Sequence, residues 1–104
     1  MIKHILILSA LALAAGSSMA TVDEAMNKAG CMACHAKDKK VVGPAFKDIA
    51  AKYKGDKEAS TKLTEKVRKG GSGVWGPIPM PPNPPEKIND ADLKGAVDQI
   101  LKTQ

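Results

Sequence analysis

Cys31-Met32-Ala33-Cys34-His35 is the stretch on which the reading of this chain turns. Two thiols separated by two residues can each add to a vinyl group of one porphyrin while the adjacent imidazole lies under the iron, and this spacing attaches c-type haem. Other chemistries use the same residue types. A thioredoxin-like pair calls for a βαβ setting. A structural zinc site calls for about four ligands. A plain disulfide leaves His35 without a task.

Upstream of the motif, the first twenty residues read as an address. Lys3 and His4 precede an apolar run from Ile5 to Ala15, followed by Gly16-Ser17-Ser18-Met19-Ala20. The run is shorter than the roughly 20 residues of a spanning helix and ends in small residues, as a secretory signal peptide does. Cleavage after Ala20 is therefore expected, giving export to an oxidising compartment and a single domain over 21–104 with no membrane anchor. That domain has 84 of the 104 residues and only Phe46, Tyr53 and Trp75 as large rings. So short a chain buries little of its surface and needs a staple. A bound planar group would supply the missing apolar volume. Beyond the leader, Cys31, Cys34 and His35 are the only soft donors apart from methionine, too few for a closed zinc site.

Helical signals dominate the rest. Thr21-Val22-Asp23-Glu24 has the form of a capping box, with an apolar stripe of Val22, Ala25, Met26 and Ala29 stopped by Gly30. Gly43-Pro44 places a proline at the first position of a second helix striped by Phe46, Ile49, Ala50 and Tyr53. A third runs from Ala59 or Ser60 to Lys69, with Gly70 as a left-handed cap. A fourth begins at the N-cap Asn89, stapled by Ile88 and Leu93, and reaches about Lys102. Between Gly70 and Pro85, four glycines and six prolines exclude helix interior and central strand, so a long, stiff, irregular loop is expected there. Its Val74, Trp75, Ile78 and Met80 suggest that it packs against something. No segment of useful length alternates apolar and polar, which makes the fold all-α with four short helices.

The charge is mildly basic: +5 for the whole chain, +4 once Lys3 is removed with the leader. The lysines, from Lys37 to Lys69, are interspersed with acids. They form either a solvated face or a docking surface for acidic partners, and composition does not choose between these. Nucleic acid is not a partner that an exported chain with so few aromatics calls for.

Beyond the attachment motif, Val42-Gly43-Pro44-Ala45 and Gly73-Val74-Trp75-Gly76-Pro77-Ile78-Pro79-Met80-Pro81-Pro82-Asn83 complete a pattern that resembles the class I c-type cytochromes, in particular the small bacterial c-551 and c-552 type. The likeness spans essentially the whole of 21–104. It implies a cytochrome c fold, four short helices wrapped around one covalent haem c on Cys31 and Cys34. It implies His35 and Met80 as axial iron ligands. A thioether is a soft, neutral ligand that favours ferrous iron and raises the reduction potential. Met80 could otherwise fill a core gap, but Pro79 and Pro81 limit the freedom lost in holding a ligand at a fixed position. By the same resemblance the Pro44 carbonyl accepts from the second ring nitrogen of His35. The Asn83 amide donates to the Met80 sulfur, unless it is an ordinary turn asparagine. Trp75 packs on the haem and gives its indole hydrogen to a propionate, and Lys66 stands near the propionates.

What the resemblance implies for function is a monomeric periplasmic electron carrier and not an enzyme, since iron ligated on both sides has no vacant position for a substrate. Its partners would be periplasmic redox proteins: a donor complex, and an acceptor such as a nitrite reductase, a peroxidase or a terminal oxidase. Val41, Val42, Pro77, Ile78, Pro81 and Pro82 are the expected apolar docking rim. A five-coordinate haem sensor or a haemless thiol module are the competing functions. The chain departs from the family where Met26 and Gln99 replace usual aromatics, so looser packing between the terminal helices is expected.

Overall fold

The computed structural model describes residues 19–104; the leader sequence expected upstream lies outside the described residues. Helix α1 (Met19–Ala29) ends where Gly30 takes a positive φ of 86°, and the attachment motif then winds a single turn, α2 (Cys31–Cys34). Helices α3 (Phe46–Lys52), α4 (Ala59–Lys69) and α5 (Asp90–Leu101) follow, with strands β1 (Gly71–Gly73) and β2 (Gly76–Met80) between the last two. Among the described residues the chain is thus mainly helical as expected, with five helices rather than four because the motif itself is helical.

Helix α5 is the hub of the packing, lying against α1, α3 and α4. Its start is built as the sequence reads: Asn89 caps it, the side-chain oxygen accepting from the Asp92 amide at 2.8 Å, and Ile88 and Leu93 are both buried. The core joins Val22 and Met26 of α1, Phe46 and Ile49 of α3, and Leu93, Ala96 and Val97 of α5. Leu63 and Val67 of α4 are only partly buried against it, which leaves that helix with an apolar face turned toward the region described below.

Several local expectations are corrected. Helix α1 begins before Thr21, so the proposed capping box lies inside the helix; the preceding residues carry the helical turn upstream. Pro44 precedes the N-cap of α3, which is Ala45, instead of occupying the first helical position. Gly70 does close α4, but with φ 68° and ψ −152°, outside the left-handed helical region. The Gly/Pro-rich stretch is not wholly irregular. Gly71 pairs with Met80 and Gly73 with Gly76 in an antiparallel ribbon with a register shift. Glycine and proline bar a central strand, but both strands of a two-stranded ribbon are edges, where a proline need not donate.

The looseness expected between the terminal helices is not what forms. A Cβ on Gly95 would stand 2.8 Å from Val22 Cγ2, so the bare glycine lets α1 and α5 approach closely. Gln99 Nε2 donates to Asp23 Oδ1 at 2.6 Å across the same crossing. Met26 is fully buried where an aromatic was expected. Among the described residues, no helix is long and apolar enough to cross a membrane.

Candidate functional site

His35 leaves α2 in extended conformation, its amide closing the turn onto the Cys31 carbonyl at 3.0 Å. The chain then folds back on the motif. Amides of Val42 and Gly43 donate to the Cys34 carbonyl at 3.2 and 2.7 Å, and the Phe46 amide donates to Ala36 at 2.9 Å. This return brings three groups to the imidazole. The Pro44 carbonyl lies 2.8 Å from Nδ1, the Phe46 ring stacks with its centroid 5.3 Å away, and Gly43 lies against the ring. A Cβ at Gly43 would come within 2.6 Å of His35 Cε1, so only glycine admits the imidazole here. A carbonyl can only accept, so Nδ1 is the protonated nitrogen and Nε2 keeps its lone pair for a ligand.

Met80 reaches the same cleft from the end of β2. Its ribbon partner Gly71 follows directly on the α4 terminus, so α4 and the hairpin together carry the methionine. Cys31, Cys34, His35 and Met80 line one cleft, whose walls are mostly side chains of the core: Phe46, Ile49, Leu63, Val67, Leu93 and Val97 among them. The cleft is partly open to solvent and its lining is mainly apolar. An apolar cleft that reaches into the core of so small a chain suits a bulky apolar group. Its few polar contributors include His35, Lys66 and Ser72.

The donor set fits covalent haem. Cys31 and Cys34 are free thiols. Burial pushes the Cys31 thiol above its ordinary value, a backbone hydrogen bond opposes the rise, and the neighbouring Cys34 adds to it. A thiol held above its ordinary pKa is the reverse of what thiol-exchange pairs show. Among the described residues, no three of His, Cys, Asp and Glu gather so as to hold a metal ion by themselves. An imidazole oriented by the Pro44 carbonyl, two thiols beside it and a thioether on the same cleft match a porphyrin-bound iron better than a bare ion.

The other expected residues fall as follows. Pro44 occupies the position foreseen for it. Lys66 lines the cleft and is half-buried. Trp75 also lines it, from the tip of the β1–β2 hairpin, but is 42% exposed, with Lys52 Nζ 5.7 Å from its ring centre. Asn83 Nδ2 donates to the carbonyls of Val67 at 3.3 Å and Pro81 at 3.1 Å, which places the side chain between α4 and the segment that follows Met80. The residue is buried, 5% exposed, and a buried amide takes whichever acceptors surround it.

Sequence reasoning passed over Arg68, which stands in the last turn of α4 and donates to the carbonyls of Asn83 and Ile88. It also missed Val74 and Trp75 as exposed apolar residues beside the expected rim. The proline-rich stretch after Met80 gave a signal for Arg68: many carbonyls and few amides, which need outside donors.

Comparison with known proteins agrees with this arrangement. Residues 20–104 match the family model described as cytochrome c. The chain is 53% identical over 89 residues to cytochrome c-552 of Nitrosomonas europaea, covering 86% of this chain and 84% of that one. It is 50% identical over 84 residues to cytochrome c2 of Rubrivivax gelatinosus, covering 81% of this chain and 99% of the relative. The crystal structure of wild-type Nitrosomonas europaea cytochrome c552 superposes with a TM-score of 0.72 at 50% identity, over 79% of this chain and 99% of that one.

Proposed function

The chain belongs to the cytochrome c family, and from that premise we propose that Nε2 of His35 and the sulfur of Met80 are the axial ligands of a haem c that Cys31 and Cys34 hold, in a periplasmic carrier of single electrons. Membership itself makes the protein an electron carrier with covalent haem c and not an enzyme. The observation that carries the finer reading is the cleft. It gathers both cysteines, His35 and Met80 in apolar surroundings, with Nδ1 of His35 already spent on the Pro44 carbonyl at 2.8 Å.

When bound, haem supplies a one-electron couple whose potential His/Met ligation raises into the range of soluble carriers. The chain's own residues do the rest. Pro44 fixes the tautomer and turn of His35, Phe46 and Gly43 hold the ring from its sides, and the apolar walls from α3, α4 and α5 exclude water. A site whose ligands are already positioned changes little between oxidation states. Lys66 and Trp75 line the cleft at positions suited to meet propionates. His35 and Met80 would both be ligands of the iron, which would leave no position for a substrate.

Residues 1–20 are read as a signal peptide removed on export, leaving 21–104 as one monomeric domain. Electrons would pass at the rim of the cleft. The six apolar residues Val41, Val42, Pro77, Ile78, Pro81 and Pro82 are all exposed, with Ile78 at 60%. Such a patch suits brief docking to a donor complex and to an acceptor such as a nitrite reductase, a peroxidase or a terminal oxidase, with the nearby lysines steering acidic partners.

The test is the visible spectrum of the exported protein in both oxidation states, with carbon monoxide added to the reduced form. The expected result is a c-type spectrum with the weak thioether-to-ferric band and no carbon monoxide binding. A colourless periplasmic protein, or avid binding of the gas, overturns the reading.

A further inference from the structure

Between Met80 and Ile88 the chain holds Pro81, Pro82, Pro84 and Pro85. Each proline brings a carbonyl and no N–H, so the segment that follows Met80 is rich in acceptors and short of donors. Its own backbone braces the far end, where the Lys87 and Ile88 amides donate to the Pro84 carbonyl at 2.9 and 3.3 Å. Further donors come from α4. The Arg68 guanidinium, its side chain only 19% exposed, gives Nη1 to the carbonyls of Asn83 at 3.1 Å and Ile88 at 2.6 Å, and Nη2 to Asp90 at 2.6 Å. Asn83 returns the connection, its amide donating to the Val67 carbonyl at 3.0 Å and its side chain to Val67 and Pro81. Upstream, Met80 is paired with Gly71, just past the end of the same helix. Both flanks of the methionine are therefore tied to the C-terminal end of α4.

We infer that Arg68 is the positioning residue for Met80: by bridging the Asn83 and Ile88 carbonyls it holds the proline-rich segment so that the thioether stays in the cleft. The inference rests on the reading of Met80 as an iron ligand. The two carbonyl bonds matter more than the ion pair, because Asp90 is 94% exposed and a solvated pair contributes little. A lysine would not replace the arginine. Its point-like ammonium lacks the planar fork that reaches two carbonyls and a carboxylate at once. Without Arg68 the prolines offer no substitute donors, the segment slackens, and Met80 leaves the iron more often.

The test uses the ferric holoprotein and imidazole as a competitor for the sixth position, read as loss of the thioether-to-ferric band, beside urea unfolding of the same samples. Arg68→Met and Arg68→Lys are expected to bind imidazole about tenfold more tightly than the unaltered protein. Asp90→Asn is expected to stay within about twofold. If the methionine variant does not fold, the lysine variant, which keeps charge and stem, carries the measurement. A lowered urea midpoint with unchanged imidazole affinity would mean that Arg68 only stabilises the fold, and overturns the proposal. An effect of Asp90→Asn as large as that of Arg68→Met overturns it too, by assigning the work to the ion pair. Failure of the underlying ligand assignment looks different, since the unaltered protein would then show no thioether band for imidazole to displace.

Discussion

Replacing Gly70 with alanine should detach Met80 from its position while leaving the attachment motif untouched. The glycine sits at φ 68°, ψ −152°, a region that is essentially closed to other residues at a cost of about 1–3 kcal/mol. An added Cβ would meet the Met80 carbonyl oxygen at 2.4 Å, Pro82 N at 2.8 Å and the Pro81 carbonyl carbon at 2.9 Å. All three are backbone atoms, two of them in prolines that cannot rotate aside. Restoring ordinary contact at 3.4 Å means moving the Met80 carbonyl by about 1.0 Å. Overpacking of this kind costs roughly 1–3 kcal/mol more. The total, about 2–6 kcal/mol, is a large part of the roughly 5–15 kcal/mol that holds a typical domain folded. The assay is urea unfolding of the holoprotein together with the thioether-to-ferric band. Covalent haem should remain, the band should weaken, and stability should fall by at least about 2 kcal/mol. Gly55→Ala is the internal comparison: φ is 82° but nothing lies within 4 Å, so about 1–2 kcal/mol of backbone strain is expected with the band intact. Equal effects of the two substitutions on the band would refute the steric argument.

Gly43→Ala acts on His35, the other proposed ligand. The 2.6 Å approach to Cε1 forces the His35 ring off the Pro44 carbonyl, so the variant should attach haem in lower yield and lose about 1 kcal/mol from the broken bond, with the spectrum of the attached fraction altered. Gly95→Ala should destabilise by about 1–3 kcal/mol with an unchanged spectrum, and Val22→Ala in the same chain should recover part of that loss in a double-mutant cycle of unfolding free energies. Asp56 is held below the usual carboxylate range, first by its hydrogen bond from Lys62 and then by the Glu58 amide. Its stabilisation is present above the unfolded value of about 3.9 and is lost as pH falls through the lowered folded value, so Asp56→Asn should flatten the acid limb of a stability-against-pH curve. Val42→Asp or Ile78→Asp should slow electron transfer to a redox partner in stopped-flow mixing while leaving the absorption spectrum as it was.

Much of this was legible from the residues. The helix starting at Asn89 announces itself through a cap, a staple and a stripe within a few positions, and the attachment motif fixes which chemistry the cleft serves. Pro44 was foreseen as the acceptor from His35, although not its place ahead of the α3 N-cap. What stayed hidden depends on groups far apart in the chain. Nothing near Asn83 in sequence says that Val67 and Pro81 will offer carbonyls to its amide. Arg68 reads as one basic residue among many until the fold carries it 20 positions along the chain to Ile88. The ribbon was missed because glycine and proline weaken a strand by propensity, while a short hairpin of edges needs few of the bonds that proline withholds.

The central position of α5 bears on how the polypeptide reaches its final form. Its partners α1, α3 and α4 all precede it, and its pairing with α1 spans most of the described sequence. Contacts of such separation form late, since the intervening loop must close before they are rewarded. A chain that has not yet reached α5 therefore lacks the helix against which α1, α3 and α4 all pack. An open chain is the form most easily threaded through a translocation channel, and the form in which both thiols of the attachment motif are simplest to reach.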